Sequence, residues 1–293
     1  MAVLEKYTKW LFFAPGFVVF LVVIIAPLVF SYVIMFFRWN LFDPFQKNPV
    51  FVGLGNFVEL STDLQFWGAW YRTVLFAAVV VPTEFVLGFV LALSLKRDLR
   101  GERVIKTLLL LPLAMAPITV GALWRVMYSP MFGVINYFLG FLGIPPQAWA
   151  ASTQQALIST AIVDIWQWTP FVTVVLLAGL VSIPSEPLEA AIVDGASSAQ
   201  VFRHLVLPMM RNVILIIVIL RVMDAIKVYD ILYTLTYGGP GNATTFITYR
   251  ISLDAFKSWH IGLASAESFV SAMIVAALTL VFIRLISERR VAG

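Results

Sequence analysis

The chain has 293 residues, 61% of them hydrophobic and only 12% charged, with a net charge of +4 and no cysteine. Soluble domains carry about 25% charged residues, so a water-soluble fold is excluded and the composition reads as an all-α membrane protein with several spans. Without cysteine there are no disulfides, thiolate nucleophiles or cysteine-ligated metals, and His204 and His260 stand apart with no metal-ligand spacing. In such a chain the positive charge informs on topology, through where it falls, and gives no reason to expect a nucleic-acid partner.

A bilayer core takes about 20 apolar helical residues, and six runs reach that length, near 11–37, 73–95, 104–127, 156–181, 211–235 and 263–285. The first is longer than the apolar core of a signal peptide, about 7 to 15 residues, and runs into FFRWNLF without a cleavage pattern, so it is expected to be retained. This divides the chain into an N-terminal span with an outward loop, 1–70, and a five-helix core, 71–290. Lys6, Lys9, Lys96, Arg97, Arg100, Arg103, Lys106, Arg203, Arg211, Arg284, Arg289 and Arg290 fall on one side, against Arg38, Lys47, Arg72, Arg250 and Lys257 on the other. The positive-inside rule then puts both termini in the cytoplasm and segments 38–72 and 128–155 outside.

Polar groups inside the spans are costly and mark partners or a pathway. Glu84 in the second span is expected to pair with a buried base, and Arg125 near the outer end of the third to reach the interface. In the fourth, Asp164, Gln167, Trp168 and Phe171 recur at i, i+3, i+4 and i+7 on one stripe. A carboxylate, an amide and two ring faces there suit the hydroxyls and C–H faces of a sugar or polyol. Trp166 lies off the stripe and reads as packing or a lipid contact.

Next comes LEAAIVDGASSAQVFRHLVLP, Leu188 to Pro208, oddly polar for its position. Ser185 can cap a short helix whose first turn holds Glu186 and Pro187, with Glu189 near its positive end. Ala190 and Ala191 keep its surface low, Gly195 can take the left-handed stop, and SSAQVFRHL restarts a helix that Pro208 leads into the next span. The result is either a two-helix cytoplasmic knob or a linker lying on lipid headgroups through Val193, Val201, Phe202 and Leu205. In the fifth span Arg221, Asp224, Lys227 and Asp230 follow at three-residue steps with alternating sign, a spacing that lets neighbours pair along the helix. Structural pairing and substrate contact both remain open for this ladder. Lys227 and Asp230 lie nearer the outer surface, where a gate or a partner contact is expected. Gly238, Gly239 and Pro240 make a tight outward turn, as a docking feature or a plain helix stop.

The knob resembles the EAA loop of permease subunits in binding-protein-dependent ATP-binding-cassette importers: Glu189, Ala190, Ala191, Gly195, Leu205, Leu207 and Pro208 fill each position of that pattern. With Asp194 before the glycine and Phe202 behind it, the segment is similar to the carbohydrate-uptake branch, as are WQWTPF, LLAGLVSIP and YDILYTLTYGGPGNATT on either side. The resemblance implies a type I importer permease with six transmembrane helices in a bacterial or archaeal inner membrane, and a coupling (EAA) loop at 185–208. It makes Glu189, Ala190, Ala191, Asp194, Gly195, Phe202 and Pro208 the ATPase-coupling residues. It places Asp164, Gln167, Trp168, Phe171, Arg221, Asp224 and Val228 along the substrate pathway, and gives Lys227, Asp230, Gly238, Gly239 and Pro240 a gate or binding-protein contact. The maltose-type permease lacks this charged ladder, so position carries over but ligand does not.

Implied partners are a second homologous permease subunit, two ATPase subunits and an extracytoplasmic solute-binding protein. No cofactor is expected in this chain; ATP and Mg belong to the partners, since no G-x-x-x-x-G-K-[ST] phosphate loop occurs here. A glycerol-phosphate-type substrate is the alternative, disfavoured by a balanced ladder to which Glu84 and Asp164 add acid. An ion-coupled secondary transporter would carry inverted repeats, and none stands out. A membrane enzyme would need a catalytic constellation, which is absent from the pattern.

Overall fold

The structure is a computed structural model and describes residues 12–43, 48–96 and 101–291. Of the basic residues used for orientation, Lys6, Lys9, Lys47, Arg97 and Arg100 lie outside the described residues. The elements run α1 (Phe12–Ile34, with a π-helical turn at Leu21–Ile25), β1 (Phe37–Arg38), β2 (Val50–Phe51), α2 (Gly55–Thr62), α3 (Leu64–Leu95), α4 (Glu102–Ala114) and α5 (Pro117–Met127). They continue as α6 (Val134–Phe141), α7 (Ala156–Val181), α8 (Glu186–Val193), α9 (Ser198–Met209), α10 (Arg211–Ile226), α11 (Asp230–Leu235), α12 (Ile247–Phe256) and α13 (Ile261–Val291).

Four of these, α1, α3, α7 and α13, are long and apolar enough to cross a membrane. Two bent pairs bring the number to as many as six: α4 with α5 at 97°, and α9 with α10 and α11 at 67°. The third expected span is therefore not one helix. Pro117 disfavours a helical conformation in the residue before it, and Ala116 is extended at ψ 134, as is Met115 at ψ 137. The fifth expected span also breaks: α10 stops at Ile226 and helix resumes only at Asp230.

The chain clusters into two units. One holds residues up to Trp67 together with Arg250–Ala276, the other Gly68–Tyr249 with Ala277–Gly293. A boundary near residue 70 was expected, but the later segment 250–276 belongs with the N-terminal unit. There Asn56, buried on α2, donates its amide to the carbonyls of Met35 (2.8 Å) and Phe37 (3.0 Å), tying down the end of α1 and the short hairpin of β1 with β2. Phe269 of α13 meets the rings of Tyr32 (5.6 Å) and Phe57 (6.1 Å). Arg250 pairs with Asp63 at 2.9 Å and with Asp254. Burial works against its charge, but the Asp254 hydrogen bond and the surrounding carboxylates outweigh that and hold the guanidinium above its ordinary pKa.

Among the described residues of the second unit, two apolar centres stand out. Phe89, Val172, Leu176, Leu180, Met210 and Ile217 join α3, α7 and the α9–α10 corner. Val120, Tyr128, Val163, Ile231 and Leu235 join α5, α7 and α11. Gly121 allows the second centre to close: a Cβ there would meet the Thr234 hydroxyl at 2.1 Å, while that hydroxyl donates to the Ile118 carbonyl at 3.0 Å.

Candidate functional site

Three helices of the second unit each send one charged side chain to the same buried point: Glu84 from α3, Asp164 from α7 and Arg221 from α10. Arg221 donates through Nε to Glu84 Oε2 (2.6 Å) and through Nη2 to Glu84 Oε1 (2.8 Å), a bidentate fork, and Nη2 also reaches Asp164 Oδ2 at 2.9 Å. All three are at most 2% exposed. One guanidinium between two carboxylates, away from water, is held by hydrogen bonds that use its planar donor fork, which an ammonium could not supply. The Trp168 ring lies over the same guanidinium at 4.9 Å and meets Phe171 edge-on at 6.3 Å.

The base that Glu84 was expected to need is therefore Arg221. The ladder of residues 221 to 230 pairs along the helix at its first step, Arg221 with Asp224, and no further among the described residues. Arg221 turns its strong hydrogen bonds to other helices and approaches Asp224 only at 4.0 Å. Lys227 caps the end of α10, and with Asp230 it is exposed and forms no ion pair among the described residues. The helix break between Ile226 and Asp230 removes the three-residue register that pairing requires.

The Asp164 stripe also splits by role. Gln167, 1% exposed, donates to the Met115 carbonyl at 3.1 Å, a group freed by the α4–α5 break. Phe171 packs on the first apolar centre, and Val228 on the second, its carbonyl accepting from the Thr248 hydroxyl at 2.6 Å. What remains accessible around the triad is Asp224, half exposed, with Trp168 and Phe171 partly so. Trp166, exposed on α7, meets the Trp124 ring of α5 edge-on at 5.5 Å. Arg125 is exposed at the end of α5 with its guanidinium 4.7 Å over the Tyr237 ring. Among the described residues no group of His, Asp or Glu could hold a metal ion.

The knob is two helices, α8 and α9, meeting at Gly195, whose φ is +84. A side chain would strain that conformation. The turn closes with Ala196 N–H donating to the Ala191 carbonyl (2.9 Å) and Gly195 N–H to Ile192 (3.0 Å), the pattern of a Schellman stop. The expected cap at Ser185 is not made by its side chain. Ser197 caps instead: its hydroxyl accepts from Gln200 N–H (3.4 Å) and the Gln200 side chain accepts from Ser197 N–H (2.8 Å), a capping box legible as S-x-x-Q that the sequence reading passed over. Glu189, Ala190, Asp194 and Gly195 are exposed, and Ala191, Asp194, Gly195, Gln200 and His204 border a hollow of about 410 Å³. Val201 and Phe202 are partly buried against the first apolar centre, Phe202 meeting Phe89 edge-on at 5.5 Å, whereas Val193 is 86% exposed. Pro208, inside α9, is exposed.

Gly238 and Gly241 take positive φ either side of a cis Gly239–Pro240 bond. Gly238 cannot carry a side chain, since a Cβ would come within 2.5 Å of the Tyr249 ring. The turn is stitched by the Thr245 hydroxyl donating to the Gly238 carbonyl at 2.9 Å and that of Thr244 to Gly239 at 3.0 Å.

Residues 84–292 match the family model described as "Binding-protein-dependent transport system inner membrane component". The chain is 37% identical over 289 residues to the trehalose/maltose transport system permease protein MalF of Thermococcus litoralis, covering 98% of this chain and 96% of that one. It is 32% identical over 260 residues to the sn-glycerol-3-phosphate transport system permease protein UgpA of Yersinia enterocolitica, covering 88% and 87%. Among solved structures it is similar to a chain of a bacterial ABC transporter involved in the import of the acidic polysaccharide alginate, with a TM-score of 0.82, 22% identity and complete coverage of both chains. At that identity the likeness concerns the fold, which is shared from end to end.

Proposed function

Because the chain belongs to the family of binding-protein-dependent transport system inner membrane components, we propose that it is the permease subunit of an ATP-driven importer that passes a neutral sugar or polyol. It is a transport protein of the type I importer permease fold, and its own role is conduction. The observation that carries the substrate class is the buried triad. Its single guanidinium is already engaged by Glu84 and Asp164, leaving no spare positive charge at that point for a phosphate or carboxylate. Asp224, Trp168 and Phe171 then offer a carboxylate and ring faces to hydroxyls and C–H groups, and Asp164, Gln167, Arg221 and Val228 hold that surface in place from behind. The relatives' names support carbohydrate, while the glycerol-phosphate permease among them supports the second reading.

In this reading the knob docks an ATPase subunit through Glu189, Ala190, Ala191, Asp194 and Gly195, with Phe202 and Pro208 joining it to the spans. Its exposed position and low side chains support that role. ATP and Mg are handled by two such partner subunits, and a second homologous permease completes the path. An extracytoplasmic binding protein delivers the solute near Gly238, Gly239 and Pro240, with Lys227 and Asp230 at the gate. Both termini are cytoplasmic, as the basic residues favour.

The test is uptake of labelled trehalose, maltose, glycerol and glycerol phosphate by cells expressing the complete system. Uptake of the phosphate ester alone would overturn the neutral-solute reading. Separately, Glu189→Lys is expected to leave the permease in the membrane while its ATPase no longer co-purifies; undiminished co-purification and transport would defeat the coupling assignment.

A further inference from the structure

Between Arg125 and Asp164 the chain carries no Lys, Arg, Asp or Glu. That stretch joins the end of α5 at Met127 to the start of α7 at Ala156, a segment that the charge distribution puts outside. A connection bathed in water would be expected to carry charge and to hide its apolar side chains. This one leaves Met131, Phe132, Tyr137, Phe138, Phe141 and Leu142 all more than half exposed, Met131 at 91%.

The exposure is ordered. On α6, Val134, Tyr137, Phe138, Phe141 and Leu142 recur at i, i+3, i+4, i+7 and i+8, one continuous stripe. The opposite face is pinned to the protein by Asn136, 8% exposed, whose amide donates to the Gln147 carbonyl at 2.9 Å. Its carbonyl oxygen accepts from Gln147 N–H (3.0 Å) and from the Trp149 ring N–H (2.8 Å). Beside the stripe, Pro130, Met131, Phe132, Val134, Tyr137 and Pro146 line a groove of about 440 Å³ that Asn136 also borders. A buried polar anchor thus fixes which face of the helix turns outward, and that face is apolar.

We propose that residues 130–146 lie in the bilayer interface, the stripe seated at the headgroup–acyl boundary and the groove taking acyl-chain methylenes. Three observations select lipid as the occupant. The surface is continuous with the ends of two spans. The polar side-chain atom on the stripe is the Tyr137 hydroxyl, in the position aromatic residues take at membrane interfaces. A protein interface is rimmed with polar and charged groups, and residues 130–146 carry no Lys, Arg, Asp or Glu. The proposal does not depend on which solute is carried.

The natural absence of cysteine makes the test direct. Single cysteines replacing Tyr137, Phe141 or, for reference, the exposed Thr153 are spin-labelled in the full chain in phosphatidylcholine nanodiscs. Labels at 137 and 141 are expected to collide with oxygen, which partitions into acyl chains, several-fold more than with a water-soluble nickel chelate. Chelate access at 137 and 141 equal to that at 153 would mean a wet surface and overturn the proposal. Poor access to both probes would mean that protein covers the stripe, and would overturn it equally.

Discussion

Arg221 is one cation held between two carboxylates, all three buried, so the three side chains are not equivalent under mutation. Arg221→Met leaves Glu84 and Asp164 buried and uncompensated, and breaking a buried pair in this way costs about 3 to 5 kcal/mol. The expected outcome is a large drop in the thermal unfolding midpoint in detergent, partly recovered when Glu84→Gln and Asp164→Asn are added. Asp224 is different: half exposed and 4.0 Å from Arg221, it contributes little to the fold. Asp224→Ala should unfold within about 0.5 kcal/mol of the parent yet lose uptake with the ATPase still bound, and normal uptake would remove the proposed central surface. At this scale the sequence announced that Glu84 needed a base but not which one. Its partner is 137 residues away, while the three-residue spacing of the ladder disclosed only the weaker contact of Arg221 with Asp224.

At the scale of elements, the knob separates two serines that look alike in the sequence. Ser197→Ala removes a capping box and should cost about 1 kcal/mol locally, read as faster amide exchange in α9. Ser185→Ala removes no side-chain cap and should leave α8 unchanged. Gly195→Val forces a β-branched residue to φ +84 and should loosen the corner between α8 and α9. Both short helices and the glycine stop were legible, because caps and left-handed turns are local chemistry. The breaks in the third and fifth spans were not. Pro112 lies inside α4 whereas Pro117 opens α5, and the difference rests on a tertiary partner, Gln167, which takes up the Met115 carbonyl that the break exposes.

On the scale of the whole molecule, the grouping of Arg250–Ala276 with the N-terminal unit is maintained by long-range contacts, among them Arg250 with Asp63, Phe269 with Tyr32 and the Ile261 N–H with the Trp39 carbonyl. A cation whose folded pKa is raised stabilises fully below its unfolded pKa, and that stability is lost only as pH rises through the folded value. With the Arg250 pKa above an already high ordinary value, the arginine side of these pairs adds no pH dependence near neutrality. Arg250→Gln should lower the unfolding midpoint, because it leaves Asp63, Asp254 and the buried Glu267, 3.4 Å from its Nε, without their cation; an unchanged midpoint would show that this pairing does not hold the segment.

By itself the sequence determined the class of molecule, the approximate spans, the knob with its glycine stop and the family to which the chain belongs. Each of these follows from composition, helical period or residues close together along the chain. Only the tertiary structure decided that Glu84, Asp164 and Arg221 share one point, that Val201 and Phe202 pack against the first apolar centre, and that α6 turns an apolar stripe outward from a buried asparagine. Those outcomes depend on which helices pack together. Buried charge and buried amide bind whatever partner packing brings within hydrogen-bond reach, and one-dimensional spacing carries no record of that.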